Sequence, residues 1–246
     1  MKILYVSDLD GTLLNGDQKV DRYVIEELNE LINGGVNFTI STGRGGSVRE
    51  ILKDIFIEFP VMILNGALSY DFSERKYVDA KVIPNDKAIE IIRNLNNFEF
   101  KKFEIQTIID DNLSRFAVSD WNTESDCLAL NFMTSKEKMK DVSKILEELK
   151  GVNFFIHKKV YSNDEWFCDI TPKNVSKASS LKVFKKKYGF DKVIAFGDSE
   201  NDLPLAEIAD EFYAVANATD IVKRNATGII ESCSDYGVVK FIKSLS

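Results

Sequence analysis

Three apolar runs in this chain break off into polar clusters. "ILYVS" (3–7) runs into "DLDGT", "VNFTIS" (36–41) into "TGRGGS", and "KVIAF" (192–196) into "GDSEND". Short continuous apolar runs bounded by turn residues read as strands buried on both faces, which is how strands of a parallel sheet read. Between them lie helical patterns. Val24, Ile25, Leu28, Leu31 and Ile32 share one face, and Gly34-Gly35 stops that helix. Another helix is expected from Val48 to Phe56, then a strand "VMIL" (61–64) ending in "NGA", then a hairpin over 68–83. Strands alternating with amphipathic helices predict an α/β fold, a Rossmann-like wound parallel sheet.

The texture changes in the middle. After Pro84 comes a helix with Ile89, Ile91, Ile92 and Leu95. Strand-like runs follow up to about 168, among them "FEFKKFEIQTII", "CLALNFM", "VNFFIHKKV" and "EWFCDI", divided by one helix over 136–149. Consecutive strands with helices set apart predict an α+β module. Winding resumes after Pro172: a helix through "SKASSLKVFKKKYG", the strand 192–196, a short helix, a strand near "YAVA" and a closing helix "DYGVVKFIKSL". The simplest organisation is a core of 1–83 and 169–246 interrupted by an inserted α+β cap of 84–168.

Composition narrows the function. Of 246 residues, 44% are hydrophobic and 29% charged, enough to bury a substantial core, and the formal charge of −7 disfavours nucleic acid or an anionic membrane as partner. No apolar stretch is long enough to span a bilayer, and Asp8 interrupts the first apolar run before a secretory leader could form. Cys127, Cys168 and Cys233 form no CxxC pair and read as reduced thiols of a cytoplasmic protein. A single histidine, His157, excludes a histidine triad or a multi-histidine metal site. Chemistry must rest on carboxylates, hydroxyls, lysine and a hard metal. Nothing in the sequence fixes an oligomeric state, and a monomer is compatible with it.

Wound sheets bind ligands outside the carboxyl ends of their strands, where strand order reverses. The three clusters are therefore expected to bring four carboxylates (Asp8, Asp10, Asp198 and Asp202) to one crevice, with the hydroxyl of Thr42 and the loop amides around Gly43 and Arg44. Like charges so close need a cation, and an all-oxygen donor set suits Mg²⁺. Asp202, two residues before Pro204, also fits a helix start. Lys177 falls in a first helical turn, where the dipole disfavours a cation by about 0.3–1 kcal/mol. That placement is accounted for by facing carboxylates and an incoming phosphate, though a solvated lysine in a lysine-rich helix remains the alternative. Neither a Walker loop nor a GxGxxG motif occurs.

In order, "DLDGTLL", "STGR", "NGA", "VSKA" and "GDSENDLPL" resemble the haloacid dehalogenase superfamily, and within it the Cof-like phosphatases with a large cap inserted after the third strand. The likeness covers both core segments, whereas the cap matches in position and texture. The resemblance implies Asp8 as nucleophile forming an aspartyl phosphate, and Asp10 as general acid and base. It implies Mg²⁺ held by Asp8, the backbone carbonyl of Asp10 and Asp198, with Asp202 supporting the metal shell. Leu9, Thr42, Gly43, Arg44, Lys177 and Asn201 would hold phosphate or substrate. Ala178, "LPL" after Asp202 and "DYGV" near the end depart from the family pattern without removing a catalytic group. The expected function is Mg²⁺-dependent hydrolysis of small phosphorylated metabolites, sugar phosphates foremost. Alternatives are a phosphomutase or phosphotransferase of the same superfamily, or a non-catalytic phospho-aspartate or sugar-phosphate sensor.

Overall fold

The computed structural model describes residues 1–15, 19–158 and 164–245. The first apolar run forms β1 (Ile3–Ser7), with Leu4 and Val6 wholly buried. After it, α1 (Arg22–Asn33) starts at Asp21, whose carboxylate accepts the Tyr23 N–H at 2.8 Å, and buries Val24, Leu28, Leu31 and Ile32. β2 (Asn37–Ile40) then pairs in parallel with β1. The helix expected over 48–56 is a single turn, α2 (Val48–Ile51). Asn29 of α1 accounts for the early end: its amide donates to the Asp54 carbonyl (2.9 Å) and its oxygen accepts the Phe56 N–H (2.8 Å), holding that backbone outside a helical ladder. β3 (Val61–Ile63) meets β2 through one bridge, Ser41 to Met62. It pairs antiparallel with β4 (Leu68–Asp71), which pairs with β5 (Lys76–Val78).

Residues 79–176 form a compact unit by themselves. Its elements are α3 (Asn85–Leu95), β6 (Lys102–Ile109), β7 (Asn112–Ala117), β8 (Ala129–Thr134), α4 (Lys136–Glu148), β9 (Val152–Lys158) and β10 (Trp166–Pro172). The strands make an antiparallel sheet in the order β7-β6-β8-β10-β9. One face packs Ile105, Phe132, Cys168 and Ile170 with Ile91, Leu95, Val142 and Leu146 of the two helices. The opposite face carries a polar row: Gln106 Nε2 donates to Asn131 Oδ1 (2.6 Å), and Asn131 Nδ2 donates to Asp169 Oδ1. The last two residues of "VNFFIHKKV" lie outside the described residues. The division between units falls at 78/79 and 176/177, where sequence texture put it at 83/84 and 168/169. β10 explains the later exit, because it pairs with both β8 and β9 through Ile170 and cannot be cut at 168.

The other unit, 1–78 with 177–246, is completed by α5 (Lys177–Tyr188), β11 (Lys192–Gly197), α6 (Leu203–Ile208), β12 (Glu211–Val215), α7 (Asp220–Arg224), β13 (Gly228–Ile230) and α8 (Gly237–Leu245). Its parallel sheet runs β13-β12-β11-β1-β2. From β1 the chain steps outward to β2; from β11 it steps the other way to β12 and β13. The order therefore reverses between β1 and β11, and their carboxyl ends carry Asp8 and Asp198. The fold is α/β, a Rossmann-like parallel core with an inserted antiparallel α+β cap. Among the described residues no helix is long and apolar enough to cross a membrane.

α8 begins two residues later than the sequence pattern suggests, because Tyr236 takes a left-handed conformation (φ 60°) that breaks the helix. The chain then passes so close to the preceding strand that a Cβ on Gly237 would lie 1.9 Å from the Glu231 carbonyl oxygen. Gly237→Ala must displace backbone on both sides and is expected to cost about 1–3 kcal/mol. Urea unfolding of the two proteins measures the difference, and an unchanged midpoint would mean that the turn relaxes freely.

Candidate active site

Asp8 continues directly from β1, its N–H still bonded to the Phe196 carbonyl (3.0 Å) of β11. Its side chain is buried against Lys177, the first residue of α5. Lys177 Nζ donates to Asp8 Oδ1 at 2.5 Å and to Asp202 Oδ1 at 2.7 Å. The three groups are 4%, 1% and 0% exposed, so this is an interior ion triad; the solvated-lysine alternative for Lys177 does not hold. The other oxygen of Asp202 accepts the N–H groups of Asp198 (3.0 Å) and Ser199 (3.1 Å). Ser199 and Asp202 thus form a reciprocal capping box at the turn after β11. That box fixes Asp198, whose Oδ1 also accepts the Thr12 hydroxyl at 3.3 Å.

Two glycines permit this approach. Gly11, at φ +78°, passes so near Asp198 that a Cβ would sit 2.5 Å from its Oδ2. A Cβ on Gly197 would sit 2.5 Å from the Cβ of Asp202.

Oxygens of Asp8, Asp198 and Asp202 lie within 4.8 Å of one another. Three carboxylates face one ammonium, which leaves an excess of negative charge in a buried place. Burial pushes Asp8 well above the usual carboxylate range; Lys177 opposes this, and Asp202 and Asp198 add to it. Burial, reinforced by Asp202, raises Asp198 to about 7. For Lys177 burial acts downward, yet Asp202 and Asp8 outweigh it and hold the ammonium charged. A divalent cation would cancel the surplus, and all-oxygen donors suit a hard one. Asp202, with one oxygen on Lys177 and the other on two amides, is committed to support, which leaves Asp8 and Asp198 as the freer donors.

The fourth carboxylate does not join them. Asp10 turns to Arg44, which donates Nε to Oδ2 (2.6 Å) and Nη2 to Oδ1 (2.5 Å). The crevice therefore gathers three carboxylates where sequence spacing suggested four, and the carbonyl is the part of Asp10 left for a cation. Arg44, read as a phosphate ligand, has a carboxylate partner here. Thr42 is buried, and its hydroxyl accepts the Arg44 N–H at 3.1 Å. Asn201 is half-buried, its side-chain oxygen accepting the Ser199 hydroxyl at 2.5 Å. The Leu9 side chain is wholly buried in the core, so only its main chain could meet a ligand. Gly43 lies between Thr42 and Arg44 and is partly exposed. Sequence reasoning passed over Thr12 and Ser199. The S-x-x-D spacing of "SEND" carried the signal for Ser199; nothing local marks Thr12 as a partner of Asp198.

The sequence matches the haloacid dehalogenase-like hydrolases over residues 5–114 and 114–242. It is 27% identical to a 5-amino-6-(5-phospho-D-ribitylamino)uracil phosphatase of Bacillus subtilis, over 98% of this chain and 94% of the relative. It is 26% identical to a phosphoglycolate phosphatase of Sulfurisphaera tokodaii, over 98% and 93%. Among solved structures, a haloacid dehalogenase-like hydrolase from B. subtilis has the same fold, with a TM-score of 0.83, 21% identity and full coverage of both chains. The chain belongs to the haloacid dehalogenase-like hydrolase family. Within it the protein is a Cof-like phosphatase, an enzyme that hydrolyses phosphate monoesters.

Removing one partner of a buried ion cluster leaves the others uncompensated, which typically costs about 3–5 kcal/mol. Lys177→Met is expected to lose stability on that scale in metal-free protein, as read by urea denaturation, and to lose activity. Lys186→Met, at an exposed position on the same helix, should stay within about 0.5 kcal/mol. Equal behaviour of the two variants would show that the triad does not carry the site.

Proposed function

We propose that this phosphatase is Mg²⁺-dependent, acts on small phosphorylated metabolites with sugar phosphates foremost, and works through an aspartyl phosphate on Asp8. The observation that carries the reading is the buried surplus of carboxylate around Asp8. A carboxylate that burial drives toward its neutral form can serve as nucleophile only where positive charge restores its anion. Lys177 supplies part of that charge. Asp8, Asp198 and the Asp10 carbonyl would hold Mg²⁺. Bound there, the ion would neutralise the nucleophile and the phosphoryl oxygens.

In the first half-reaction an Asp8 oxygen attacks phosphorus and the ester P–O bond breaks. Asp10 gives its proton to the departing oxygen. In the second, Asp10 takes a proton from water as the water oxygen attacks the same phosphorus. The Asp8–phosphorus bond then breaks, releasing inorganic phosphate and restoring Asp8 as a carboxylate and Asp10 as the protonated acid. Lys177, the Thr42 hydroxyl, the main-chain amides of Leu9 and Gly43, and Asn201 would hold the phosphoryl oxygens.

The leaving group needs its own reader, which we assign to the inserted cap. The two relatives named for their substrates act on a phosphorylated ribityl compound and on phosphoglycolate, both small phosphate monoesters, which supports this class.

Hydrolysis of p-nitrophenyl phosphate with Mg²⁺ and with EDTA tests the proposal. Chelation should abolish turnover and Mg²⁺ restore it; Asp8→Asn should be inactive and form no covalent phosphate. Full activity after rigorous chelation, or substantial turnover by Asp8→Asn, would overturn it. The cation should also show a pH signature. Asp198, raised to about 7, keeps a proton in metal-free folded protein that a cation must displace. Mg²⁺ should therefore raise the thermal midpoint more at about pH 8 than at about pH 6. The same shift at both would exclude Asp198 as a ligand.

A further inference from the structure

We propose that Arg44 is a positioning residue for Asp10, and that a left-handed turn at Leu64–Gly66 holds Arg44 for that task. The assignment rests on the reading of Asp10 as the general acid and base. The Asp10 side chain is 42% exposed, and a short carboxylate in such a place has freedom to turn. Arg44 removes it with two hydrogen bonds of 2.6 and 2.5 Å, one to each oxygen of the ionised group, and when Asp10 carries its proton the unprotonated oxygen keeps its bond. A bidentate fork fixes the plane of a carboxylate as well as its distance, which a lysine ammonium cannot do.

Arg44 is in turn fixed through its backbone. Its N–H donates to the Thr42 hydroxyl at 3.1 Å, and its carbonyl accepts the Leu64 N–H at 2.9 Å. The Thr42 carbonyl accepts the Asn65 N–H at 3.0 Å. Both donors belong to three successive residues with positive φ: Leu64 at 51°, Asn65 at 52° and Gly66 at 94°. Gly66 adopts this at no steric cost and Asn65 at little, but Leu64 does so only where its surroundings compel it. The turn directs two consecutive N–H groups onto the 42–44 loop, and that is what the strained backbone achieves. The support thus runs from the turn to the loop, from the loop to the guanidinium, and from there to Asp10.

Leaving-group dependence reads this directly. An alkyl phosphate releases a basic oxygen that needs the Asp10 proton as its P–O bond breaks, whereas p-nitrophenolate leaves without one. The ratio of kcat/KM for 2-glycerophosphate to that for p-nitrophenyl phosphate therefore reports how well the acid is placed, and it is blind to the later attack of water. General acids contribute about 10²–10⁴-fold, so Asp10→Asn should lower this ratio at least about tenfold. Arg44→Met should lower it about tenfold or more, and Arg44→Lys, which keeps the charge without the fork, should move it the same way. The double variant Arg44→Met/Asp10→Asn should fall no further than Asp10→Asn alone.

Parallel losses on both substrates in the Arg44 variants, with the ratio kept, would make Arg44 a phosphate ligand or a purely structural residue and overturn the assignment. Additive losses in the double variant would overturn it as well. If Asp10→Asn itself leaves the ratio unchanged, the reading of Asp10 as acid fails, and the role of Arg44 fails with it. Should Arg44→Met not fold, as judged by circular dichroism, Arg44→Lys alone decides between these outcomes.

Discussion

The two bonds of the Lys177 ammonium hold the catalytic unit together where its chain is discontinuous. Asp8 closes the first strand, Asp202 lies in the turn after β11, and Lys177 is the first residue after the inserted cap. One side chain thus ties both halves of the core at the point where the strand order reverses. A cation in the first turn of a helix opposes the dipole by about 0.3–1 kcal/mol. Two short charge-assisted bonds among buried groups outweigh that penalty, since each is about twice as strong as a neutral one. Position and pairing therefore explain each other: the lysine lies where helix electrostatics would not place it because two buried carboxylates there call for a counter-charge.

Burial makes the same cluster a liability to folding and an asset to chemistry. Asp8 and Asp198 are both displaced upward from ordinary carboxylate behaviour, chiefly by burial and then by their neighbours. In metal-free protein Asp198, raised to about 7, keeps its proton where the unfolded chain has already ionised, so folding loses stability as pH rises from about 4 to about 7. Glycine makes so dense an arrangement possible. Side chains at Gly11 or Gly197 would force Asp198 or Asp202 from their places, so the compactness of the cluster depends on two missing Cβ atoms as much as on the carboxylates.

The catalytic core was legible in the sequence because its site residues follow apolar strands directly. Asp8 and Asp198 occupy the first polar positions after continuous buried runs, and parallel pairing of β1 with β11 leaves them little choice but to meet. Lys177 was legible for a different reason, its awkward position in a helix. Less was visible where long-range side-chain bonds override local pattern. The single turn of α2 depends on Asn29, more than twenty residues away, capturing the backbone of Asp54 and Phe56. The cap boundary was misplaced because β10 belongs to the antiparallel sheet by pairing, which texture does not register. The pairing of Arg44 with Asp10 had no sequence signal, since two loops 34 residues apart acquire their neighbourhood only once the sheet is formed.

Those loops show how precision is distributed around the crevice. Asp8, Asp198 and Asp202 are held by main-chain pairing, a capping box and close packing, so their places follow from the fold itself. Asp10 lies three residues beyond the strand and more in solvent, and the single main-chain bridge it makes, to Leu14, does not orient its side chain. In the acid and base role proposed for Asp10, a group that releases a proton in one half-reaction and accepts one in the next benefits from access to water, but access brings conformational freedom. The guanidinium of Arg44 reconciles these demands by restricting rotation without burying the carboxylate. The cost appears one layer further out, at Leu64 and Asn65, where the backbone is held in a left-handed conformation so that the loop bearing Arg44 stays fixed.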